Sequence, residues 1–177
     1  MPGSNAVLQG RDGRWALCFE RLLGQPPERV WSALTTHDEL FDWHPTPFEL
    51  EPAAGGRVRY RPTPEGPEMP DGRVLEYDPP RLLVHTWGDD ELRWELAAHE
   101  NGCVLRLTHI FDDRLKAARD AAGWHLCLDA LASSLAGVSR PQRGTGPRLP
   151  DGWSGLNGDY EERFGISPRE ATPPPPP

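Results

Sequence analysis

The sequence predicts one α+β domain in which a curved antiparallel sheet is covered on one face by a long helix near the C-terminus. Short segments that alternate apolar and polar residues, separated by turn residues, dominate the first 111 positions. A longer segment with apolar residues three and four positions apart follows them. Because a half-buried antiparallel sheet needs a cover on one face only, we expect the helix to cross that face and to leave a pocket beneath it.

The first elements are a strand and two short helices. Residues 14–23 alternate in polarity and predict the strand. Pro26–Pro27 opens the first helix, since proline is tolerated at a first helical position. Thr36 and Glu39 have the spacing of a capping box and predict a second helix that ends before His44–Pro45. The apolar residues expected on this second helix are Leu40, Phe41 and Trp43.

Strands and turns occupy the middle of the chain. Residues 57–61 alternate so strictly that Val58 and Tyr60 must point to one face. Four prolines in residues 62–71 predict a long loop, which we expect at the mouth of the pocket. Further strands are predicted from Phe48 onward and at residues 72–77, 82–87, 91–97 and 103–111. Because only short turns separate most of them, we expect an antiparallel meander.

The C-terminal third is predicted to contain the long helix, a connector and a tail. The apolar stripe of the helix consists of Ala117, Ala121, Trp124, Leu128, Leu131 and Leu135, and Gly137 ends it. A brief amphipathic segment from Trp153 to Phe164 is expected to dock back on the domain, and Pro173–Pro177 predicts a disordered polyproline tail. The predicted units are an N-terminal extension at 1–11, the domain at 12–138, a connector with a short docking helix at 139–165, and the tail at 166–177.

The composition excludes several classes of protein. Lys and Arg total 19 against 27 Asp and Glu, and the formal net charge is −8. Without a dense basic cluster, the chain is not expected to bind nucleic acid. It contains no run of about 20 apolar residues, so we expect no membrane span. Three widely separated cysteines and a start without a secretory signal predict a reduced protein in the cytoplasm.

The six histidines are the candidates for acid–base or metal chemistry. None forms an HExxH motif or another recognisable ligand arrangement, so we predict no metal site and no cofactor. The phase of the strands turns His85 and His109 towards the inner face. A single histidine on an apolar face is more often a core residue than a catalytic one. If both line one cavity, they are nevertheless the best candidates for proton transfer in the chain.

A set of short motifs resembles a known family. The motifs, in order, are Pro27-Glu28-Arg29-Val30-Trp31-Ser32-Ala33-Leu34-Thr35-Thr36 with Leu40 and Trp43, Gly72-Arg73-Val74-Leu75-Glu76-Tyr77-Asp78-Pro79-Pro80-Arg81-Leu82, Thr86-Trp87, Leu107-Thr108-His109 and Gly123-Trp124. Across residues 12–137 they resemble the Aha1-like branch of the SRPBCC (START/Bet v 1-like) superfamily. The chain differs at His37, where members often have proline, and in its proline-rich loop. The resemblance implies a helix-grip fold around an apolar cavity.

The resemblance also indicates which residues surround that cavity. In the resembled fold, the elements that carry Trp43, Trp87, Trp94 and Trp124 converge around it. Aromatic walls with one or two polar groups suit a flat or elongated apolar ligand, although core packing explains large aromatic residues equally well. The residues predicted to bind the ligand are Trp43, Val58, Tyr60, Trp87, Trp94, Leu105, Leu107, His109, Trp124 and Leu128.

The fold alone leaves several functions open, because it hosts lipid carriers, hormone receptors, polyketide cyclases and co-chaperone domains. The leading hypothesis is non-enzymatic binding of a small apolar molecule between the sheet and the long helix. The first alternative is a cyclase or dehydratase type of enzyme that uses His85 or His109 as its acid–base group. The second is a module that interacts with a chaperone, as the family name implies. An exposed edge strand would also permit a homodimer.

Overall fold

Eight strands form one antiparallel sheet, and a long helix packs on its inner face. The computed structural model of the chain describes residues 5–61, 68–138 and 152–167. The strands are β1 Val7–Arg11, β2 Arg14–Leu23, β3 Phe48–Leu50, β4 Arg57–Tyr60, β5 Gly72–Asp78, β6 Leu82–Trp87, β7 Asp90–His99 and β8 Gly102–Phe111. The helices are α1 Pro27–Thr35, α2 His37–Leu40, α3 Ala117–Leu135 and α4 Trp153–Phe164, with a 3-10 turn at Arg114–Lys116. The predicted α+β helix-grip fold is confirmed.

The strand order in the sheet is β1-β2-β8-β7-β6-β5-β4-β3. It follows the predicted meander from β3 to β8, and β2 then pairs with β8 along its length. Most of the predicted proline-rich loop, the connector and the tail lie outside the described residues.

The two faces of the sheet differ in chemistry. On β7, Leu92 and Trp94 are buried on the inner face, whereas Arg93 and Glu95 alternate with them on the outer face. Arg93 pairs with Glu76 at 2.9 Å and with Glu95 at 3.4 Å. Charged side chains thus cover this part of the outer face, where Val84 opposite Arg93 is buried beneath them.

The helix α3 supplies the cover for the inner face. Its buried residues include Ala117, Ala121, Trp124, Leu128 and Leu131. The alanines at its N-terminal end let the helix approach the sheet closely, while Trp124 reaches into the core. Gly137 adopts a left-handed conformation with φ of 73°, so it ends the helix as predicted. Within the described part of the chain, none of the helices has the length and apolar content that crossing a bilayer requires.

The N-terminal residues form a strand that the sequence analysis did not predict. β1 pairs with β2 from Val7 opposite Cys18 to Arg11 opposite Arg14. Asp12 and Gly13 connect the two strands with φ values of 50° and 82°. This two-residue turn with positive φ at both positions matches the twist of a hairpin and favours Asp-Gly. The sheet therefore begins at residue 7, inside the segment that we predicted to be an extension.

The second helix differs from its prediction. α2 ends at Leu40, and Phe41 beyond it is 55% exposed. The expected capping box does not form, because the Glu39 carboxylate accepts hydrogen bonds from Ser32 Oγ at 2.7 Å and Arg29 Nη1 at 2.6 Å. Glu39 thus holds α2 against α1 and does not cap its own helix.

The C-terminal helix α4 lies against α3 and contacts the start of the chain. The hydroxyl of Tyr160, which is buried, accepts a hydrogen bond from the backbone N–H of Ala6 at 3.1 Å. The same hydroxyl forms a hydrogen bond with Nδ1 of His125 at 2.9 Å. One side chain of α4 therefore joins α3 and the residue before β1.

Replacing Tyr160 with Phe is expected to loosen α4. The change leaves the Ala6 N–H and His125 Nδ1 without their partner, and we expect the free energy of unfolding to fall by about 1–3 kcal/mol. Urea denaturation measures the loss, and hydrogen exchange of the α4 amides locates it. Tyr77→Phe is the matched control, because the described residues give the Tyr77 hydroxyl no hydrogen bond. Equal stability of Tyr160→Phe and the wild type would contradict this role.

Candidate ligand-binding site

Aromatic side chains fill the centre of the space between the sheet and α3. The Trp43 and Trp94 rings lie 5.6 Å apart between centroids, and Trp94 and Trp124 are also separated by 5.6 Å. All three residues are at most 2% exposed. His44 packs beside them, 5.5 Å from Trp124. The gap that we predicted is therefore occupied here by the side chains that we expected to line it.

The ten residues predicted to bind a ligand all belong to this inner layer, but only one reaches the surface. Trp87 is half-buried. The other nine, each at most 5% exposed, are Trp43, Val58, Tyr60, Trp94, Leu105, Leu107, His109, Trp124 and Leu128. Access to a ligand without rearrangement is consequently confined to the Trp87 end of the layer. Whether these residues bind a ligand stays a prediction.

A surface cavity lies at that end of the layer. Its volume is about 270 Å³, and its lining residues are Met69, Trp87, Asp89, Asp90, Lys116, Arg119 and Asp120. They come from the segment before β5, the end of β6, the turn into β7 with its first residue, the 3-10 turn and the first turn of α3. We call this cavity the Trp87 pocket. It combines an aromatic ring and a thioether with a wall of paired charges.

The charged wall is organised around Asp90. Its side chain is 11% exposed, and Oδ2 lies 2.7 Å from Nε2 of His109. The Lys116 ammonium contacts the same oxygen and lies 3.9 Å from Asp120, which Arg119 also pairs with at 2.9 Å. Burial alone would raise the pKa of Asp90, but the hydrogen bonds from His109 and Lys116 outweigh it and lower that pKa below its ordinary value. The Asp90 carboxylate is thus held in its charged form.

The hydrogen bonds of His109 fix its tautomer. Trp124 Nε1 can only donate, and it lies 3.2 Å from Nδ1 of His109, so Nδ1 must accept. The ring proton is then on Nε2 and points to Asp90. With both nitrogens engaged, the fully buried imidazole has no lone pair directed at the pocket.

The same tautomer disfavours a metal ion at this position. Asp90, His109 and Asp120 bring one ligand atom each within 4.8 Å of one another. A metal at Nε2 would require the ring proton on Nδ1, where it would meet the Trp124 N–H. In addition, both carboxylates already have cationic partners, Asp90 in Lys116 and Asp120 in Lys116 and Arg119.

His85 occupies the equivalent position two strands away, where Leu92 of β7 lies between it and His109. Its Nε2 accepts from Trp94 Nε1 at 3.3 Å, and its Nδ1 lies 3.0 Å from the Tyr60 hydroxyl. That hydroxyl donates to the Thr86 carbonyl, so the His85 Nδ1–H donates to it. Burial lowers the pKa of His85 to about 4, which keeps the ring neutral near pH 7. His85 therefore also lacks a free nitrogen for a substrate.

A second cavity, of about 300 Å³, opens on the outer face of the sheet between β6, β7 and β8. Its two arginines are already paired, Arg81 with Asp78 at 2.6 Å and Arg106 with Glu20 at 2.8 Å. The inner residues singled out from the sequence do not reach it.

The charged residues of the Trp87 pocket were not among the candidates from the sequence. Asp90 lies between two predicted strands, and Lys116, the only lysine of the chain, belongs to no motif that indicates a chemical role. One signal was available. Lys116 and Asp120 have i, i+4 spacing at the start of the predicted long helix, which places them on the same helix face.

Comparisons with known proteins agree with this architecture. Residues 25–136, more than half of the chain, match the family described as activator of Hsp90 ATPase homolog 1-like protein. The conserved protein of unknown function EF2215 from Enterococcus faecalis is 19% identical, with a TM-score of 0.73 over 90% of each chain. CalU16 from Micromonospora echinospora is 17% identical, with a TM-score of 0.70 over 95% of each chain. A protein encoded by gene BPP1335 of Bordetella parapertussis is 26% identical, with a TM-score of 0.65 over 92% of each chain. No functionally curated protein matches the chain.

Proposed function

Since the chain belongs to the activator of Hsp90 ATPase homolog 1-like family, we propose that it uses the helix-grip fold for non-enzymatic binding of a small ligand with an apolar body. The binding site is the Trp87 pocket, at the open end of the filled aromatic layer. The observation that carries this proposal is the prearranged wall in which Trp124, His109, Asp90 and Lys116 are joined by successive hydrogen bonds behind the pocket.

Trp87 offers a fixed surface for the apolar part of the ligand. Its ring centroid lies 5.4 Å from those of both His109 and Trp124. Its Nε1 donates to Thr46 Oγ1 at 2.7 Å. These contacts hold the indole in place, so a ligand that packs on it binds without the entropic cost of immobilising the ring. Met69 adds an adaptable apolar contact at the same pocket.

The opposite wall would hold a polar group of the ligand. The side chains of Asp90 and Asp120 are both 11% exposed, and that of Lys116 is 21% exposed. Charges in such a partly desolvated position make stronger hydrogen bonds than fully solvated ones. A volume of about 270 Å³ is slightly below the ~300–1,000 Å³ of most ligand pockets, so the ligand is small.

The hydrogen bonding of the two inner histidines supports binding without turnover. General acid–base catalysis needs a ring nitrogen within hydrogen-bond reach of the substrate. In His85 and His109, every ring nitrogen already has a protein partner. The enzyme hypothesis would require one of these buried bonds to break first.

Substitution of Trp87 tests the proposal. The probes are phenol, benzoate and benzylamine, which carry the same ring with a neutral, anionic or cationic group. We expect at least one of them to bind the wild type, and Trp87→Ala to weaken that binding about 30-fold, as loss of a central aromatic contact does. Calorimetry or an NMR titration measures the affinity.

Trp31→Ala is the control, because Trp31 is also half-buried but packs on Tyr77, outside the pocket lining. Equal affinity of the wild type and Trp87→Ala for every probe would contradict the proposal. So would a wild type that binds none of the three.

Interaction with a chaperone is the second candidate function, and the filled interior favours it. Because the rings of Trp43, Trp94 and Trp124 fill the central layer, these residues leave no room there for a large ligand. Calorimetric titration with an Hsp90 chaperone tests this function, and no binding at micromolar concentrations would remove it.

The thiols support a cytoplasmic location. Among the described residues, Cys18, Cys103 and Cys127 form no disulfide, as is common in a reducing compartment. Recovery of the protein in the soluble cell fraction, with three titratable thiols after unfolding, is the expected result.

A further inference from the structure

Four tryptophans form a continuous path from the core to the surface. The centroid distances are 5.6 Å from Trp43 to Trp94, 5.6 Å from Trp94 to Trp124 and 5.4 Å from Trp124 to Trp87. The first three are at most 2% exposed, and Trp87 lines the surface pocket. Indole is an aromatic side chain that loses an electron readily. Rings in van der Waals contact can exchange that electron.

The indole N–H groups along the path have different acceptors. At the two ends, Trp43 donates to the Ala33 carbonyl and Trp87 to the Thr46 hydroxyl, neither of which is a useful base. The middle two donate to imidazole nitrogens, Trp94 to His85 and Trp124 to His109. An indole that has lost an electron is a strong N–H acid. Only these two positions therefore place a base beside that acid.

We propose that Trp124 is a redox-active residue that gives up one electron through Trp87 to a one-electron oxidant at the pocket, while His109 accepts its indole proton. Trp87 passes one electron to the oxidant, and Trp124 then passes one electron to the oxidised Trp87. The Trp124 N–H bond breaks, and its proton forms a bond with His109 Nδ1. The products are the reduced oxidant, a neutral Trp124 radical and an imidazolium on His109. One electron from a reductant reverses both transfers.

Asp90 distinguishes Trp124 from Trp94. The second nitrogen of His109 donates to the Asp90 carboxylate at 2.7 Å, so a negative charge is in place to stabilise the imidazolium. The second nitrogen of His85 faces the neutral Tyr60 hydroxyl and Thr86 carbonyl. Burial also lowers the pKa of His85 to about 4, which makes it a poor proton acceptor. The chain thus contains its own control pair.

Flash photolysis of the full chain tests the proposal. Photoexcited tris(bipyridine)ruthenium with methyl viologen as quencher generates the one-electron oxidant, and transient absorption distinguishes the neutral tryptophan radical from its protonated radical cation. The wild type is expected to form the neutral radical. Trp124→Phe is expected to lose most of that signal, whereas Trp94→Phe keeps it.

Substitutions at His109 and Asp90 test the proton step. His109→Gln can keep both hydrogen bonds but is not a base, so the radical cation is expected in place of the neutral radical. Asp90→Asn is the second variant, should His109→Gln fail to fold by circular dichroism, and a lower yield of neutral radical is expected from it. Loss of the signal in Trp94→Phe equal to that in Trp124→Phe would overturn the assignment. A wild-type yield of neutral radical in His109→Gln or in Asp90→Asn would also overturn it.

Discussion

Replacing Trp94 with Ala is expected to lower the free energy of unfolding by about 3–5 kcal/mol, as for other large-to-small changes in a core. Trp94 is 1% exposed and contacts the rings of both Trp43 and Trp124. The change opens a cavity between β7 and α3 and leaves Nε2 of His85 without its donor. Urea denaturation at neutral pH measures the loss.

Trp31→Ala is the matched control for this prediction. Trp31 is only half-buried, with its ring 5.6 Å from Tyr77, so we expect a clearly smaller loss of stability. If Trp94→Ala were no less stable than Trp31→Ala, the aromatic layer would not be the packed centre of the domain.

Acid is expected to destabilise the protein through His85. Burial lowers the pKa of His85 from 6.5 to about 4, whereas the unfolded chain keeps the ordinary value. Between these two pH values the unfolded state binds more protons than the folded state, so the free energy of unfolding falls as the pH falls. Below pH 4 the resulting loss of unfolding free energy reaches about 3 kcal/mol, and above pH 6.5 there is no such loss. Urea denaturation at a series of pH values from 7.5 to 4 measures it.

Carboxylates whose pKa is lowered, such as Asp90, also destabilise the protein on acidification, so a comparison with a variant is required. His85→Gln keeps a polar side chain but cannot titrate, and its stability is expected to vary less between pH 6.5 and 4. Parallel pH profiles for the wild type and His85→Gln would show that His85 does not carry this dependence.

The strands could be predicted wherever one face is buried and the other solvated. β6 has the predicted bounds, and β7 and β8 differ from theirs only at the ends. β1 was missed because it is short and lies at the sheet edge, where Val7 is 59% exposed and the alternation is weak. The Asp12–Gly13 dipeptide was the available signal, since it strongly favours a hairpin turn.

The inner face could be predicted, but not how its side chains fill the space. Period-two alternation indicates which face a strand residue occupies, and the seven candidates on strands lie on the inner face. The other three, Trp43, Trp124 and Leu128, lie outside the sheet and belong to the same core. The alternation does not indicate whether the side chains opposite leave a void. That depends on three large rings, Trp43, Trp94 and Trp124, which come from distant parts of the chain and meet edge to face.

The charged wall of the Trp87 pocket was beyond sequence reasoning for a similar reason. Asp90 and Lys116 are 26 residues apart and meet only because the turn between β6 and β7 lies beside the start of α3. Polar residues in turns are common, so their pattern alone does not distinguish a solvated turn from part of a site.

Indole resonances in a ¹⁵N–¹H NMR titration test the binding proposal most directly. The seven tryptophans give seven side-chain signals, which single substitutions assign. On titration with whichever of phenol, benzoate or benzylamine binds, we predict the largest shift for Trp87, a smaller one for Trp124, and none for Trp43 and Trp94. A largest shift at Trp43 or Trp94 would place the ligand in the interior, and saturation without a shift at Trp87 would place it elsewhere on the domain. Either result would contradict a site at the Trp87 pocket.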